Sequence, residues 1–496
     1  MTISGNMQRI LSSWPTAVLL KDRTFSLTQG NKITLLPTPG LWGADPTQNN
    51  YWRADGWVTE SAPTAACQKL CKAITDVIGS AKQVVDITML WHTNVGLPDG
   101  YFFDAIRDGL KRLHDQGSRP LVRILCGVPP PVMVANGDLE KWLRAILPPG
   151  SPLSVFMATN HTRTAASWNH SKIVAADGVS AIVGGHNLWS NAYLSYAPVH
   201  DISALIEGPA ARTAHAFCDL LWSHRGSPLA HVHLMNGKLT YEEPPPASLP
   251  PPPKEAPGAA EMMALGRLGS GIVNLDPVGD AGVTARLIAI LCATSRIRII
   301  QQGLGFSLME ANDSSWDHPT MRALAKMIVK GVKVDIIMSN DNARDGTSDP
   351  YCGPTLKDTW VALARFVEAE RMRPAPASDH PLEYVHRQCP YLPPIPSGPT
   401  WDLVKERVHL MPLRFSNSGY VWKSPGRPDR IAGLHAKVYQ IDDQGFYVGS
   451  DNMYRSGSDA GLQEFGYFVD SQEETRKFQR AYWDPLYSYS INARIT

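Results

Sequence analysis

The sequence repeats one arrangement of polar residues whose types and spacing could carry chemistry. Each copy places a lysine two positions after a histidine and an aspartate five positions after that lysine: His170, Lys172 and Asp177 in the first copy, and His435, Lys437 and Asp442 in the second. A glycine-containing tail that ends in asparagine follows each copy, at Asn187 and at Asn452. A single match arises by chance in on the order of a few per cent of chains of this length, whereas two matches with similar tails indicate a duplicated functional element.

Each copy is predicted to form a β-hairpin that presents its polar groups on one side. Residues two apart on a strand point to the same face, so the histidine and the lysine share that face. Turn sequences follow at 177–178 and at 442–445, and such turns are typical of hairpins. Two hairpins related by a pseudo-twofold would bring two histidines, two lysines and two asparagines to one site.

This set of side chains suits the cleavage of a phosphodiester. Two ammonium groups and two amides can hold the non-bridging oxygens and stabilise the charge that develops there. One neutral imidazole can attack phosphorus, while the other gives a proton to the leaving alcohol and takes one from the incoming water or alcohol. The residues alone leave open which histidine attacks. The lysines supply the positive charge, so we expect no metal ion and no other cofactor.

Two carboxylates are candidates for orienting the imidazoles. Asp201 and Glu464 follow His170 and His435 at similar offsets, each within an otherwise apolar strand. A lone carboxylate there is costly unless it is paired, so we expect each to fix the tautomer of the histidine in its own copy. The motif aspartates, at the hairpin turns, are instead predicted to form turns or to bind nearby backbone.

Hydrophobic periodicity predicts the same order of elements around both copies. Strands at 84–91 and 121–126 flank an amphipathic helix around 103–113, and strands at 297–302 and 332–338 flank a helix around 321–328. This order is typical of parallel crossover units. We therefore predict an α/β protein with an internal duplication of one half.

The chain is predicted to divide into four segments: an irregular N-terminal wrapping segment at 1–60, a first half at 61–240, a Pro-rich linker at 241–265 and a second half at 266–496. The proline runs of the linker favour an extended, semi-rigid conformation. A peptide ligand for a signalling partner is the alternative interpretation. A second Pro-rich stretch, at 373–399, is predicted to be a long surface loop.

Composition excludes some classes of protein. Lys and Arg number 47 against 46 Asp and Glu, which argues against the basic face that binding to duplex nucleic acid requires. Seven scattered cysteines do not form a disulfide framework. The N-terminus lacks the pattern of a secretory signal peptide, and no apolar run approaches the ~20 residues that span a bilayer. We expect a soluble protein that is cytoplasmic, that is exported without a cleaved signal, or whose signal segment is absent from this sequence.

These motifs resemble those of the phospholipase D superfamily, and most closely those of the secreted actinobacterial-type enzymes. The similarity spans roughly residues 40–490 in islands and is carried by Ser167-Trp-Asn-His-Ser-Lys172, Gly184-Gly-x-Asn-x-Trp189, Ile300-Gln-Gln302, Leu434-His-x-Lys437, Phe446-Tyr-x-Gly-Ser450, Leu462-Gln-Glu-Phe-Gly-Tyr467 and Asp484-Pro485. Three features depart from that group: the missing signal peptide, Ala436 in place of a second histidine, and Glu464 in place of an aspartate.

The resemblance implies two fused α/β/α sandwich halves, related by a pseudo-twofold, with one active site at their interface. It implies hydrolysis of phosphatidylcholine-like lipids to phosphatidic acid, with transfer to alcohols as a side activity. It assigns nucleophilic attack to His170 and general acid chemistry to His435. It also places several residues in the substrate pocket: Trp168, Gly184, Gly185, Trp189, Gln302, Gly449 and Ser450.

Other functions remain open from the sequence. A phosphatidyltransferase that joins lipid and alcohol would differ only in the group that resolves the phosphohistidine. A nucleic-acid phosphodiesterase is disfavoured by the near-neutral charge, and a non-enzymatic lipid-binding relic by the presence of every catalytic position. We expect a monomer that acts on phospholipid at a membrane surface, with water or a small alcohol as acceptor and no nucleic acid partner. The apolar loop at 128–134 would either meet lipid or pack under neighbouring loops.

Overall fold

The computed structural model describes residues 1–40, 42–43, 64–91, 97–129, 132–160, 167–188, 193, 199–223, 230–252, 255–269, 280–306, 311–341, 343, 354–372, 392–416, 433–454 and 461–495, and the backbone alone of 52–53, 56–57, 423–424 and 427–431. Trp189 and most of the predicted surface loop at 373–399 lie outside the described residues. Within the described parts of the chain, no helix combines the length and the apolar character that crossing a membrane requires.

The N-terminal segment is regular over most of its length. It forms α1 (Ile3–Leu11), α2 (Pro15–Leu19) and the long strand β1 (Phe25–Thr38), followed by a small pair of strands, β2 (Trp52–Arg53) and β3 (Gly56–Trp57). The prediction of an irregular segment is therefore wrong over residues 3–38. A shift of register between Thr28 and Asn31, with Gly30 at φ 83°, interrupts the alternation that would have revealed β1.

The first sheet places three parallel strands beside an antiparallel series. The parallel strands are β4 (Val84–Leu90), β5 (Leu121–Gly127) and β6 (Ser154–Asn160), and the antiparallel ones are β7 (Ile173–Ala176), β8 (Ser180–Gly184) and β9 (Val199–Glu207). The hairpin of β10 (His231–Met235) and β11 (Lys238–Thr240) extends the sheet beside β6. Helices α3 (Ala65–Ser80), α4 (Gly100–Asp115) and α5 (Asn136–Ile146) pack on the outer face, and α6 (Ala211–Ser223) packs on the inner face.

The second sheet repeats this plan with its own elements. Its strands are β12 (Ala260–Arg267), β13 (Arg296–Gln301), β14 (Lys333–Met338), β15 (Val408–Pro412), β19 (Lys437–Ile441), β20 (Gly445–Gly449) and β21 (Glu464–Asp470). Three short strands precede β19: β16 (Lys423–Ser424) and β17 (Arg427–Ile431) pair with each other, and β18 (Gly433–Leu434) pairs with β9 of the first half. The outer helices are α7 (Ala281–Leu291), α8 (His318–Val329), α9 (Leu356–Arg371) and α10 (Pro399–Arg407). The C-terminal helices are α11 (Gln472–Phe478) and α12 (Asp484–Ser490), joined by a π-helical turn at Gln479–Trp483.

The two sheets have the same strand order, and β1 connects them. The order β9-β8-β7-β4-β5-β6 in the first sheet matches β21-β20-β19-β13-β14-β15 in the second. Strand β1 pairs with β12 near its start and with β9 over 32–38. One apolar core contains residues of both halves, such as Ile173 and Val438. The predicted class, α/β with two fused α/β/α halves, is confirmed.

The Pro-rich segment is docked along the first half. Arg123 Nη1 donates to the carbonyl oxygen of Pro245 at 3.3 Å, and Arg212 Nη1 donates to that of Pro250 at 2.7 Å. A cavity of about 390 Å³ lies between Arg123 and the prolines, apart from both histidine motifs. Because β12 begins at Ala260, the last residues of the predicted linker belong to the second sheet.

Candidate active site

Each histidine segment lies against a strand of the other half. The N–H of His170 donates to the carbonyl oxygen of Gln463 at 2.8 Å, and the N–H of His435 donates to that of His200 at 2.8 Å. Parallel β-bridges accompany both contacts: Asn169 with Gln463, and Gly433–Leu434 with Val199–His200. The backbone of each histidine is therefore held by the half that does not contain it.

The orienting carboxylates are exchanged between the halves in the same way. Nδ1 of His170 lies 2.9 Å from Oε1 of Glu464, and Nδ1 of His435 lies 2.8 Å from Oδ2 of Asp201. The expectation that each carboxylate serves the histidine of its own copy is therefore wrong. The offsets along the chain are similar in both copies, so they do not distinguish a partner in the same half from one in the other. The parallel bridges determine which carboxylate pairs with which histidine, because they place each motif beside the carboxylate strand of the other half.

The carboxylates fix the chemistry of both rings. An Nδ1–H that donates to a carboxylate leaves the lone pair of a neutral imidazole on Nε2. His170 and His435 are both buried, as are Glu464 and Asp201. This arrangement leaves Nε2 of either ring as the atom that can attack phosphorus or carry a proton.

The two lysines are buried beside the histidines. Lys172 Nζ donates to the carbonyl oxygen of His170 at 2.6 Å, and Lys437 makes the same contact with His435. Burial lowers the pKa of Lys172 to about 7 and that of Lys437 to about 8, against the opposing charges of Glu464 and Asp201. At neutral pH these pKa values leave the two lysines with less than two full ammonium charges. An anionic phosphodiester would favour protonation of both.

The imidazoles respond to the same surroundings. Burial lowers the pKa of His170, which Glu464 opposes and Lys172 reinforces. Burial also lowers the pKa of His435 well below its usual range, and the ammonium groups of Lys437 and Lys172 add to the effect. Each histidine is influenced by the lysine of the opposite copy as well as by its own. The four groups therefore form one electrostatic site.

The two carboxylates differ in their ionisation. Burial raises the pKa of Asp201 to about 7, although Lys437 acts in the opposite direction. Burial acts to raise the pKa of Glu464 too, but His170 and Lys172 outweigh it, so the pKa is lowered. The pair around His170 thus contains a firmly ionised carboxylate, whereas Asp201 takes up a proton near neutral pH.

The motif aspartates lie away from the imidazoles and bind backbone. The Asp177 carboxylate accepts the N–H groups of Lys82, Gln83 and Val84 at 2.7–2.9 Å. The Asp442 carboxylate accepts those of 294–296 at 2.8–2.9 Å. Each aspartate ties its hairpin turn to the start of a parallel strand, β4 or β13.

The small residues of the two tails contact the orienting carboxylates. A Cβ on Gly185 would lie 2.1 Å from Oδ1 of Asp201, so only glycine leaves room for that carboxylate. In the second copy, Ser450 Oγ donates to Oε2 of Glu464 at 2.5 Å. A Cβ on Gly184 or Gly449 would meet Ser203 or Tyr447 respectively. The sequence predicted these four as pocket residues, and two of them, Gly185 and Ser450, lie against the carboxylates that orient the histidines.

Both asparagines bring buried amides with unused hydrogen-bonding capacity. Asn187 and Asn452 are 4% and 3% exposed, and the side-chain oxygen of each has no hydrogen-bond partner within the described residues. Nε1 of Trp168 is likewise without a partner there. Gln302 accepts a hydrogen bond from the Tyr454 hydroxyl at 3.4 Å. Buried polar atoms without partners are rare in folded proteins, so these amides are suited to a polar ligand.

The sequence did not reveal the support around Asp201. The hydroxyl of Tyr193 donates to Oδ2 of Asp201 at 3.4 Å and accepts the N–H of Asn187 at 2.7 Å. His186, which precedes Asn187, is buried between the hydroxyls of Thr38 and Ser203, 2.7 Å from each. Tyr193 lies in a stretch without periodicity, so no sequence pattern identifies it.

This chain is similar to known proteins in sequence and in fold. No protein-family model matches it. A phospholipase D of Streptomyces antibioticus is 28% identical over 527 aligned positions, covering 96% of this chain and 86% of that protein. The crystal structure of a phosphatidylserine synthase of Haemophilus influenzae superposes with a TM-score of 0.50 at 13% identity, covering 85% of this chain and 84% of the other. The chain therefore resembles proteins of the phospholipase D superfamily, in sequence over nearly its whole length and in its two-half fold.

Proposed function

We propose that this protein is a phospholipase D that hydrolyses phosphatidylcholine-like lipids to phosphatidic acid and the free head-group alcohol. The observation that carries the proposal is the reciprocal exchange of carboxylates, His170 with Glu464 and His435 with Asp201. This exchange builds one site from both halves, with two imidazoles, two lysines and two amides. The sequence similarity to a phospholipase D supports the lipid substrate.

In the first step, Nε2 of His170 attacks phosphorus and the bond from phosphorus to the head-group oxygen breaks. The ionised Glu464 stabilises the positive charge that develops on the attacking ring. Lys172 and Lys437 hold the non-bridging oxygens together with the Nδ2–H groups of the two asparagines. His435, protonated in the presence of the bound anion, gives its proton to the leaving alkoxide.

The second step reverses these roles. His435 takes a proton from a water molecule, whose oxygen attacks phosphorus as the bond to His170 breaks. Phosphatidic acid leaves, and His170 is neutral again while His435 is protonated. A primary alcohol in place of water yields a phosphatidyl alcohol, so transfer is a side activity of the same intermediate. A phosphatidyltransferase would use the same steps with an alcohol as its physiological acceptor.

The test is an assay of purified protein on phosphatidylcholine vesicles, with and without ethanol and with a chelator present. We expect release of choline, and formation of phosphatidylethanol at the expense of phosphatidic acid when ethanol is added. A His170→Asn variant is expected to lose all turnover. Absence of head-group release from any phospholipid, together with cleavage of single-stranded DNA, would overturn the proposal. Transfer to alcohol without measurable hydrolysis would instead identify a phosphatidyltransferase.

A further inference from the structure

A buried charge cluster holds the residue that precedes Asn452. Oδ1 of Asp451 accepts from Arg267 Nη1 at 2.9 Å, and Oδ2 accepts from Arg286 Nη1 at 2.5 Å. Asp451 is 6% exposed and Arg286 is 3% exposed. Asp451 and Arg286 take no part in the proposed chemistry, and no sequence pattern identifies them. Charges this well buried require partners, and here the partners adjoin an amide of the active site.

The backbone on both sides of Asn452 is also held by buried groups. Gln301 Nε2 donates to the carbonyl oxygen of Asp451, and Gln301 Oε1 accepts the N–H of Met453, both at 3.4 Å. Arg286 Nη1 lies 3.4 Å from the carbonyl oxygen of Asn452 itself. The peptide that carries the amide is therefore fixed from three directions.

All three nitrogens of the Arg286 guanidinium donate hydrogen bonds. Its Nε donates to Thr320 Oγ1 and its Nη2 to Asp317 Oδ2, each at 3.2 Å. Arg286 thus connects α7 and the start of α8 to the tail that carries Asn452. A lysine has the charge but not the planar fork, so it cannot make all of these contacts.

Within the described residues, the amide of the first copy has no buried arginine–aspartate cluster beside it. His186 stands where Asp451 stands in the second copy and contacts two hydroxyls. Burial lowers the pKa of His186 to about 3, so it is neutral at physiological pH. The two amides are similarly buried, and among the described residues a network of arginine and aspartate charges adjoins Asn452.

We propose that Arg286 is a positioning residue for Asn452 and acts through Asp451 to hold the amide where its Nδ2–H donates to a non-bridging phosphate oxygen. The inference rests on the proposed function, because it gives Asn452 a role in phosphate binding. A shift of about 1 Å in a positioned group is enough to lower turnover by about 100-fold. Loss of some of the Arg286 hydrogen bonds should therefore affect catalysis more than folding.

The experiment is a cycle of Arg286→Lys, Asn452→Ala and the double variant. Its readouts are the kcat and KM for bis(p-nitrophenyl) phosphate and the Kd for inorganic phosphate. We expect Arg286→Lys to lower kcat about tenfold and to weaken phosphate binding about tenfold. In the Asn452→Ala background it should change either quantity less than about twofold, because the positioned group is already gone.

Arg123→Lys is the matched control. Arg123 is equally buried and bidentate, to Asp86, but it contacts neither tail. It should lower the melting temperature by a similar amount and leave kcat and the phosphate Kd unchanged. Equal losses of kcat in the two lysine variants, or an additive loss in the double variant, would overturn the positioning role.

The readouts also separate this inference from the proposed function. If the wild-type protein cleaves the chromogenic diester or binds phosphate with the expected cycle, but releases no head group from any lipid, the lipid substrate is wrong and the positioning role stands. If it neither binds phosphate nor cleaves the diester, both proposals are overturned.

Discussion

Nδ1 of His170 lies 2.9 Å from Oε1 of Glu464, a residue 294 positions away in the other half of the chain. The reciprocal contact joins His435 to Asp201 across 234 positions. Each motif histidine is thus paired with a carboxylate of the other half. The duplicated motif therefore becomes one site only when the two sheets are packed together, and damage to one carboxylate should appear in the chemistry of the opposite histidine.

The crossed pairing predicts different losses for the two carboxylate variants. Glu464→Gln should slow attack by His170 by about 100-fold or more with every leaving group, because the ring loses its orienting anion. Asp201→Asn should slow head-group release strongly but spare a p-nitrophenyl diester, whose leaving group needs no proton. The measurement is the ratio of kcat/KM for the lipid and the chromogenic diester in each variant.

The opposite pattern has a clear meaning. If Asp201→Asn slows both substrates and Glu464→Gln spares the activated one, His435 is the nucleophile and the assignment must be exchanged. Asn187→Ala is a useful reference here, because loss of an amide that holds phosphate should slow both substrates equally.

The buried lysines predict that the stability of the ligand-free protein rises with pH. Burial lowers the pKa of Lys172 to about 7 and that of Lys437 to about 8, while an unfolded lysine titrates near ~10.4. Between these values the unfolded chain binds more protons, so the free energy of unfolding increases as pH rises from about 7 towards about 10. Denaturant titrations across this range should show the rise, and Lys172→Met should reduce its slope.

Bound phosphate provides the control for that measurement. An anion in the site favours protonated lysines, so saturating phosphate should flatten the dependence of stability on pH. The same pH dependence in the wild-type protein and in Lys172→Met, without phosphate, would contradict the burial of a neutral lysine at this position.

Much of this site follows from the sequence because its information is local. The spacing of His170 and Lys172 and its repetition at His435 were visible in the sequence, although the structure begins β7 at Ile173, so that His170 and Lys172 precede the strand on which they were predicted. The pattern of strands and helices also predicted the repeated α/β plan. The assignment of Asp177 to backbone followed from its place at a turn, and its carboxylate does accept three N–H groups.

The remaining features depend on contacts that no local pattern encodes. The exchange of Asp201 and Glu464 is set by two parallel bridges between distant segments. Strand β1 was missed because a bulge at Gly30 disrupts its alternation. In the sequence, Arg286 is one more residue of an apolar helix, and only the packing of α7 against the second tail reveals its contacts with Asp451 and Asn452.

The motif aspartates predict a loss of stability rather than a loss of chemistry. Asp442→Ala removes an acceptor shared by three backbone N–H groups. Buried donors without partners are costly, so the free energy of unfolding should fall by about 2–4 kcal/mol. Urea denaturation measures this loss, and the kcat of the remaining folded protein should change less than about threefold. A large loss of kcat at unchanged stability would place Asp442 in the chemistry.

Gly185→Ala should impair general acid catalysis by His435, although the atoms nearest to the added methyl group belong to Asp201 and not to His435. The added Cβ would lie 2.1 Å from Oδ1 of Asp201, so the carboxylate must move away from the ring that it orients. We expect kcat for the lipid to fall by about 100-fold, because a mispositioned general acid loses most of its contribution. Gly137→Ala is the control, since its Cβ would meet nothing within 4 Å. If Gly185→Ala kept full activity, contact with Asp201 could not be what keeps this position small.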